Sequence, residues 1–71
     1  MSNPNTNQGP LTDVEVQLTG QDGNAFSILG KVSNALRRGG HRELVAEFQA
    51  EAMSGDYNHL LQTAMRYCIV H

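Results

Sequence analysis

Three of the five Lys and Arg residues, together with one of the three histidines, fall in a single run, Arg37-Arg38-Gly39-Gly40-His41-Arg42. Guanidinium groups present paired donors to carboxylate or phosphate, so such a run is chemistry for acidic ligands. A helix, a glycine turn and a second helix also invite comparison with a DNA-reading helix-turn-helix. The helix after the turn, however, brings Glu43, Glu47 and Glu51 toward a polyanion. A reading helix normally brings Arg, Lys, Asn or Gln to base edges. The run is therefore read as a solvated cationic turn that pairs with a second copy's glutamates or recognises an acidic protein partner.

A second candidate is the turn Thr19-Gly20-Gln21-Asp22-Gly23-Asn24. In outline it resembles a phosphate-binding junction between strand and helix, because free amides at a helix start attract anions. It lacks the lysine and glycine spacing of a P-loop and the three glycines of a dinucleotide fingerprint. Asp22 would also repel phosphate. A structural turn is the adopted reading. An anion or nucleotide site using Asp22 and Asn24 with Arg37, Arg38 or Arg66 is the alternative.

The histidines His41, His59 and His71 lack the spacing of four that sets two ligands on one helix face. Asp56 and His59 could pair on a helix surface, and Cys68 with His71 could approach a metal, yet neither makes a ligand set. Cys68 sits in an apolar pattern, where a thiol is an inert small hydrophobe. Ser27, Ser33 and Ser54 have no evident base and acid to form a relay. The expectation is a protein that is not an enzyme and that carries no metal and no cofactor.

Composition bounds what can position these groups. Seventy-one residues make at most one domain, which buries only ~60% of the surface its unfolded chain exposes. One cysteine permits no intrachain disulfide. Either the core is efficiently helical or a second copy completes it, and self-association is the expectation carried forward. The net charge of −2 and pI near 5.8 argue against general attraction to nucleic acid or an anionic membrane. No apolar run approaches the ~20 residues of a membrane span, and MSNPNTNQGP does not resemble an export signal. A lone cysteine suits a reducing cytoplasm.

Residues 1–11 are polar and rich in Asn, Pro and Gly, which predicts a disordered tail ahead of one domain over 12–71. Val14, Val16 and Leu18 alternate with polar residues, the pattern of a half-buried strand. The only other β-like run is Tyr67–Val70, so the two chain ends are expected to pair, parallel or antiparallel, leaving an exposed edge open to another copy. Ile28, Leu29, Val32, Ala35 and Leu36 mark one face of a helix from Asn24 to Arg38, capped by Asp22 or Asn24 and ended by Gly39-Gly40. Gly30 inside it implies the close approach of another backbone. A second helix is predicted over 42–53, with Leu44, Val45, Phe48 and Ala52 inward and the three glutamates in water or near cations. A third, over 57–67, carries Tyr57, Leu60, Leu61, Ala64, Met65 and Cys68 inward, with Asn58, Gln62, Thr63 and Arg66 opposite. Ser54 and Asp56 supply cap chemistry between the two. The architecture expected is α+β, in the order β-α-α-α-β.

Two stretches, residues 17–30 (QLTGQDGNAFSILG) and 51–61 (EAMSGDYNHLL), resemble a family of short uncharacterised proteins of bacterial genomes, phages and mobile elements. The resemblance spans roughly residues 14–70 and implies no activity. It implies a setting in which a small protein binds and occludes a host protein, such as a defence component. The combined expectation is a cytoplasmic, homodimeric interaction module with no membrane or nucleic-acid partner. Its candidate contact residues are Arg37, Arg38, His41 and Arg42 of the turn, with Asn58, His59 and Arg66 of the third helix.

Overall fold

The structure, a computed structural model, describes residues 9–18, 20 and 23–71. Strand β1 (Glu15–Val16) leads to helix α1 (Ala25–Arg38). A 3-10 turn (Arg42–Leu44) then opens helix α2 (Val45–Ala52), followed by helix α3 (Tyr57–Tyr67) and strand β2 (Ile69–Val70). This is the expected β-α-α-α-β order. The strands pair in parallel, Glu15 with Ile69 and Val16 with Val70. Parallel partners need a long crossover, and all three helices lie within it. Pairing extends beyond the strands proper: Leu11 N–H donates to Arg66 C=O at 2.8 Å, and Leu18 N–H to His71 C=O at 2.8 Å. Leu11, placed at the end of the expected tail, is thus held to α3. Residues 1–8 of that tail, and Thr19, Gln21 and Asp22 of the expected turn, lie outside the described residues.

Each helix begins and ends on side chains suited to the task. Asn24 Oδ1, one of the two expected caps, accepts from Phe26 N–H at 2.8 Å and Ser27 N–H at 3.4 Å, and α1 begins one residue after it, at Ala25. Gly40 takes φ +86°, where glycine is unstrained, and turns the chain out of α1. Gly39 must be small, since a Cβ there would lie 2.5 Å from Val14 Cγ2. The second helix is shorter than its predicted run. His41 C=O accepts from Leu44 N–H at 2.9 Å, tightening the first turn to 3-10 geometry. Asp56 Oδ1 caps α3 by accepting from His59 N–H at 2.9 Å.

The core gathers Val16, the α1 residues Ile28, Val32, Ala35 and Leu36, the α2 residues Val45, Phe48 and Ala52, and Leu60, Ala64, Tyr67 and Cys68. Phe48 and Tyr67 meet edge to face, their ring centroids 5.5 Å apart. The inward face of α3 differs from the predicted one at four positions: Tyr57, expected inward, is exposed, and Tyr67, left off that face, is buried. Met65 is 53% exposed, whereas Thr63, assigned to the polar side, is fully buried. Burial costs Thr63 little, because its hydroxyl donates to His59 C=O one turn back at 2.7 Å.

Gly30 also departs from expectation. A Cβ at this position meets nothing within 4 Å, so no backbone of the described residues approaches it. Glycine in an exposed helix interior forfeits about 1 kcal/mol relative to alanine. Gly30→Ala is therefore expected to stabilise the fold by up to ~1 kcal/mol, read as a higher urea midpoint with an unchanged slope. A lower midpoint would mean that something does pack there.

Candidate functional site

The predicted contact residues occupy three separate places. Asn24 stands at the start of α1, and Arg37, Arg38, His41 and Arg42 surround the turn that follows its end. Fourteen helical residues span about 21 Å, so Asn24 and the arginine corner do not converge on one small anion. Asn24 also spends its side-chain oxygen on the first amides of α1, the groups an anion would use. Asp22, the other half of that alternative, lies outside the described residues.

The arginine corner is exposed, and its charges are left open. Arg37 Nη1 donates to the neutral Asn34 Oδ1 at 2.9 Å. The side chains of Arg38 and Arg42 form no hydrogen bond or ion pair with any described residue. The nearest acid in sequence, Glu43, stands 3.9 Å from His41 Nδ1. Arg38 also borders a polar groove of about 390 Å³ shared with Glu15, Gln17, Lys31 and Asn34.

On α3, Asn58 is exposed and Arg66 Nη1 lies 4.0 Å from Glu51 Oε2. His59 is tied down. Its Nε2 lies 2.9 Å from Glu51 C=O, 3.1 Å from Glu51 Oε2 and 3.2 Å from Ser54 Oγ. Ser54 Oγ itself donates to Glu51 C=O at 2.7 Å. A serine–histidine–acid relay places the hydroxyl and the carboxylate on opposite ring nitrogens. Here all three groups crowd one nitrogen, and the arrangement closes the carbonyl end of α2. The surface pair expected between Asp56 and His59 is replaced by this clamp, because Asp56 spends its carboxylate on the helix cap. His71, considered with Cys68, instead meets Glu15 Oε1 at 2.9 Å. No group of three or more His, Cys, Asp or Glu among the described residues could hold a metal ion.

Two groups among the described residues have shifted proton affinities. Burial, then the hydrogen bond its hydroxyl donates to Glu47 Oε2 at 2.7 Å, pushes Tyr67 up to about 12. Burial also pushes the Cys68 thiol up, against a smaller opposing contribution from Thr12. A buried thiol with a raised pKa is a poor nucleophile.

A further feature was not anticipated from the sequence. An apolar groove of about 280 Å³ lies between the start of α1 and the α2–α3 turn, lined by Phe26, Leu29, Ala52, Met53, Tyr57 and Leu60. Phe26 is 80% exposed, Met53 63% and Tyr57 47%. The Tyr57 hydroxyl donates to Gly23 C=O at 2.6 Å, tying the start of α3 to the segment before α1 and bracing one wall. The available signal was angular: Phe26 falls off the arc of Ile28, Val32, Ala35 and Leu36, and an aromatic outside the buried stripe needs another partner.

No family model matches the chain, and no curated protein or solved structure matches it either. No helix among the described residues is long and apolar enough to cross a membrane.

Proposed function

We propose that this protein is a small, non-enzymatic interaction module that binds an acidic surface of a partner protein through Arg37, Arg38, His41 and Arg42 and acts by occluding it. The observation that carries this reading is the arginine corner: three exposed guanidinium groups, none within 4.0 Å of a carboxylate among the described residues, in a chain of net charge −2. Arginine is weakly hydrated and fits carboxylates with paired donors, so an open cluster favours an acidic partner over water. The resemblance to phage and mobile-element proteins adds the setting, a host protein in the cytoplasm such as a defence component. Glu43, which follows the corner, and the acidic net charge weigh against duplex DNA.

The test reverses two charges. Native protein and the Arg37→Glu, Arg38→Glu variant are immobilised against host lysate, and the proteins retained by the native chain are then purified and titrated directly. At least a tenfold loss of affinity in the variant is expected, with weaker native binding as salt rises. Equal affinity for both chains overturns the assignment. ATP, GTP and inorganic phosphate are expected to leave the thermal midpoint unmoved, since a bound ligand raises it by mass action. Retention of the native chain on duplex DNA at physiological salt would replace the acidic protein with nucleic acid.

A further inference from the structure

The apolar groove and the most exposed aromatic side chain of the molecule lie side by side. Phe26 stands 80% exposed at the rim, at the second position of α1, where nothing in the core requires an aromatic. Beside it the groove offers about 280 Å³, and a cavity of about 150 Å³ is enough to hold benzene. A protruding ring next to a hollow that admits a ring is self-complementary under two-fold rotation.

We propose that two copies of this chain form an isologous dimer in which Phe26 of each fills the groove of the other, between Met53 and Tyr57. The area fits a second copy. Aromatic side chains present 150–250 Å² each, so the exposed parts of Phe26, Met53 and Tyr57 amount to roughly 400 Å² per copy. A patch of about this size is the largest that a typical monomer carries, and such patches are often functional. Pairing two copies covers about 800 Å² of apolar surface, and the polar rim brings the total near the ~1,200 Å² at which specific interfaces begin. Weak and transient encounters sit at this low end of the size scale, so the test reaches into the high micromolar range. Asp56 borders the groove, and its Oδ1 already accepts from His59 N–H in the helix cap. The arginine corner lies at the far end of α1 and stays open in each copy, so the dimer presents it twice. Pairing through the groove does not depend on the acidic partner, and either can fail alone.

Sedimentation velocity between about 5 and 500 µM tests the proposal on the intact chain. The native mass is expected to rise from 7.8 kDa toward twice that value. Phe26→Asp, at an exposed position, is expected to remain at monomer mass throughout while keeping native far-UV circular dichroism. Met53→Asp serves in its place if Phe26→Asp does not fold. Glu15→Lys, on the strand edge, is expected to dimerise like the native chain. Mixing Phe26→Cys with Met53→Cys under mild oxidation is expected to give a disulfide-linked heterodimer in preference to either homodimer. A native chain that stays monomeric to 500 µM overturns the dimer and leaves the groove to a foreign segment. Dimerisation that survives Phe26→Asp, or that is lost in Glu15→Lys, overturns this mode of pairing and points to the strand edge.

Discussion

Replacing Phe48 with alanine is expected to leave most of the protein unfolded at room temperature. Phe48 sits in the middle of α2, is fully buried, and meets the Tyr67 ring edge to face. Truncating such a side chain removes its transfer free energy and leaves a cavity, together about 3–5 kcal/mol. A core built from 71 residues without a disulfide rarely supplies more than roughly 3–5 kcal/mol in total. The single substitution therefore removes about as much as the fold possesses. Urea titration followed by circular dichroism reads the effect directly, with the cooperative transition expected to shrink or vanish. A Phe48→Ala transition that stays cooperative with a loss below ~1 kcal/mol would mean that Phe48 is not at the centre of the core. Dimer formation raises the apparent stability with concentration, so both chains must be compared at low and equal concentration.

The sequence carried the element order well because each boundary rests on local chemistry. Asn24, Asp56 and Gly40 mark helix ends by what their own atoms do, a side-chain oxygen accepting amides or a backbone free to turn. The bounds of α3, Tyr57–Tyr67, coincide with the predicted ones for that reason. The pairing of the chain ends followed by elimination, since a lone strand needs a partner and only one other β-like run exists. Its direction was not legible, because parallel and antiparallel ladders place the same alternating side chains against a core. The inward face of α3 was legible only in part. Period alone groups Leu60, Leu61, Ala64 and Met65, but the helix is rotated so that Thr63 and Tyr67 enter the core and Met65 leaves it. That rotation is set by Phe48 against Tyr67 and by the hydroxyl of Thr63 reaching His59, contacts that no local pattern reports. Gly30 misled for a related reason: its cost is local, but whether a neighbour compensates it is tertiary. The arginine corner was readable as a cluster, though not the absence of acids facing it. The groove stayed hidden, because Met53 and Tyr57 are brought to Phe26 only by the way the α2–α3 turn folds back on α1.

Tyr67, whose ring helps orient α3, carries a hydroxyl whose ionisation is expected to lower stability in alkali. In the unfolded chain Tyr67 titrates near its ordinary value of 10.0, whereas in the folded protein burial and the hydrogen bond to Glu47 push it up to about 12. The folded state thus holds the proton more tightly than the unfolded state. Below pH 10 both states are protonated, and the contribution of the buried hydroxyl is fully present. As pH rises from about 10 to 12 the unfolded chain gains by ionising, and stability drains away until the folded-state pKa is passed. Two pKa units set a ceiling of about 3 kcal/mol on the loss. Cys68 acts in the same direction from the lower side, since its thiol titrates ordinarily at 9.0 and burial raises it. Urea midpoints measured from pH 8 to 12 are expected to fall steeply above pH 10. Tyr67→Phe removes the ionising group but not the ring beside Phe48. At neutral pH it is expected to cost about 1.5–3 kcal/mol, the net worth of one hydrogen bond to a charged group. Above pH 10 its midpoint should fall much less steeply than the native one. An equally steep fall in both chains would place the alkaline sensitivity in other groups and break the connection drawn between the Tyr67 hydroxyl and the packing of α3 on α2.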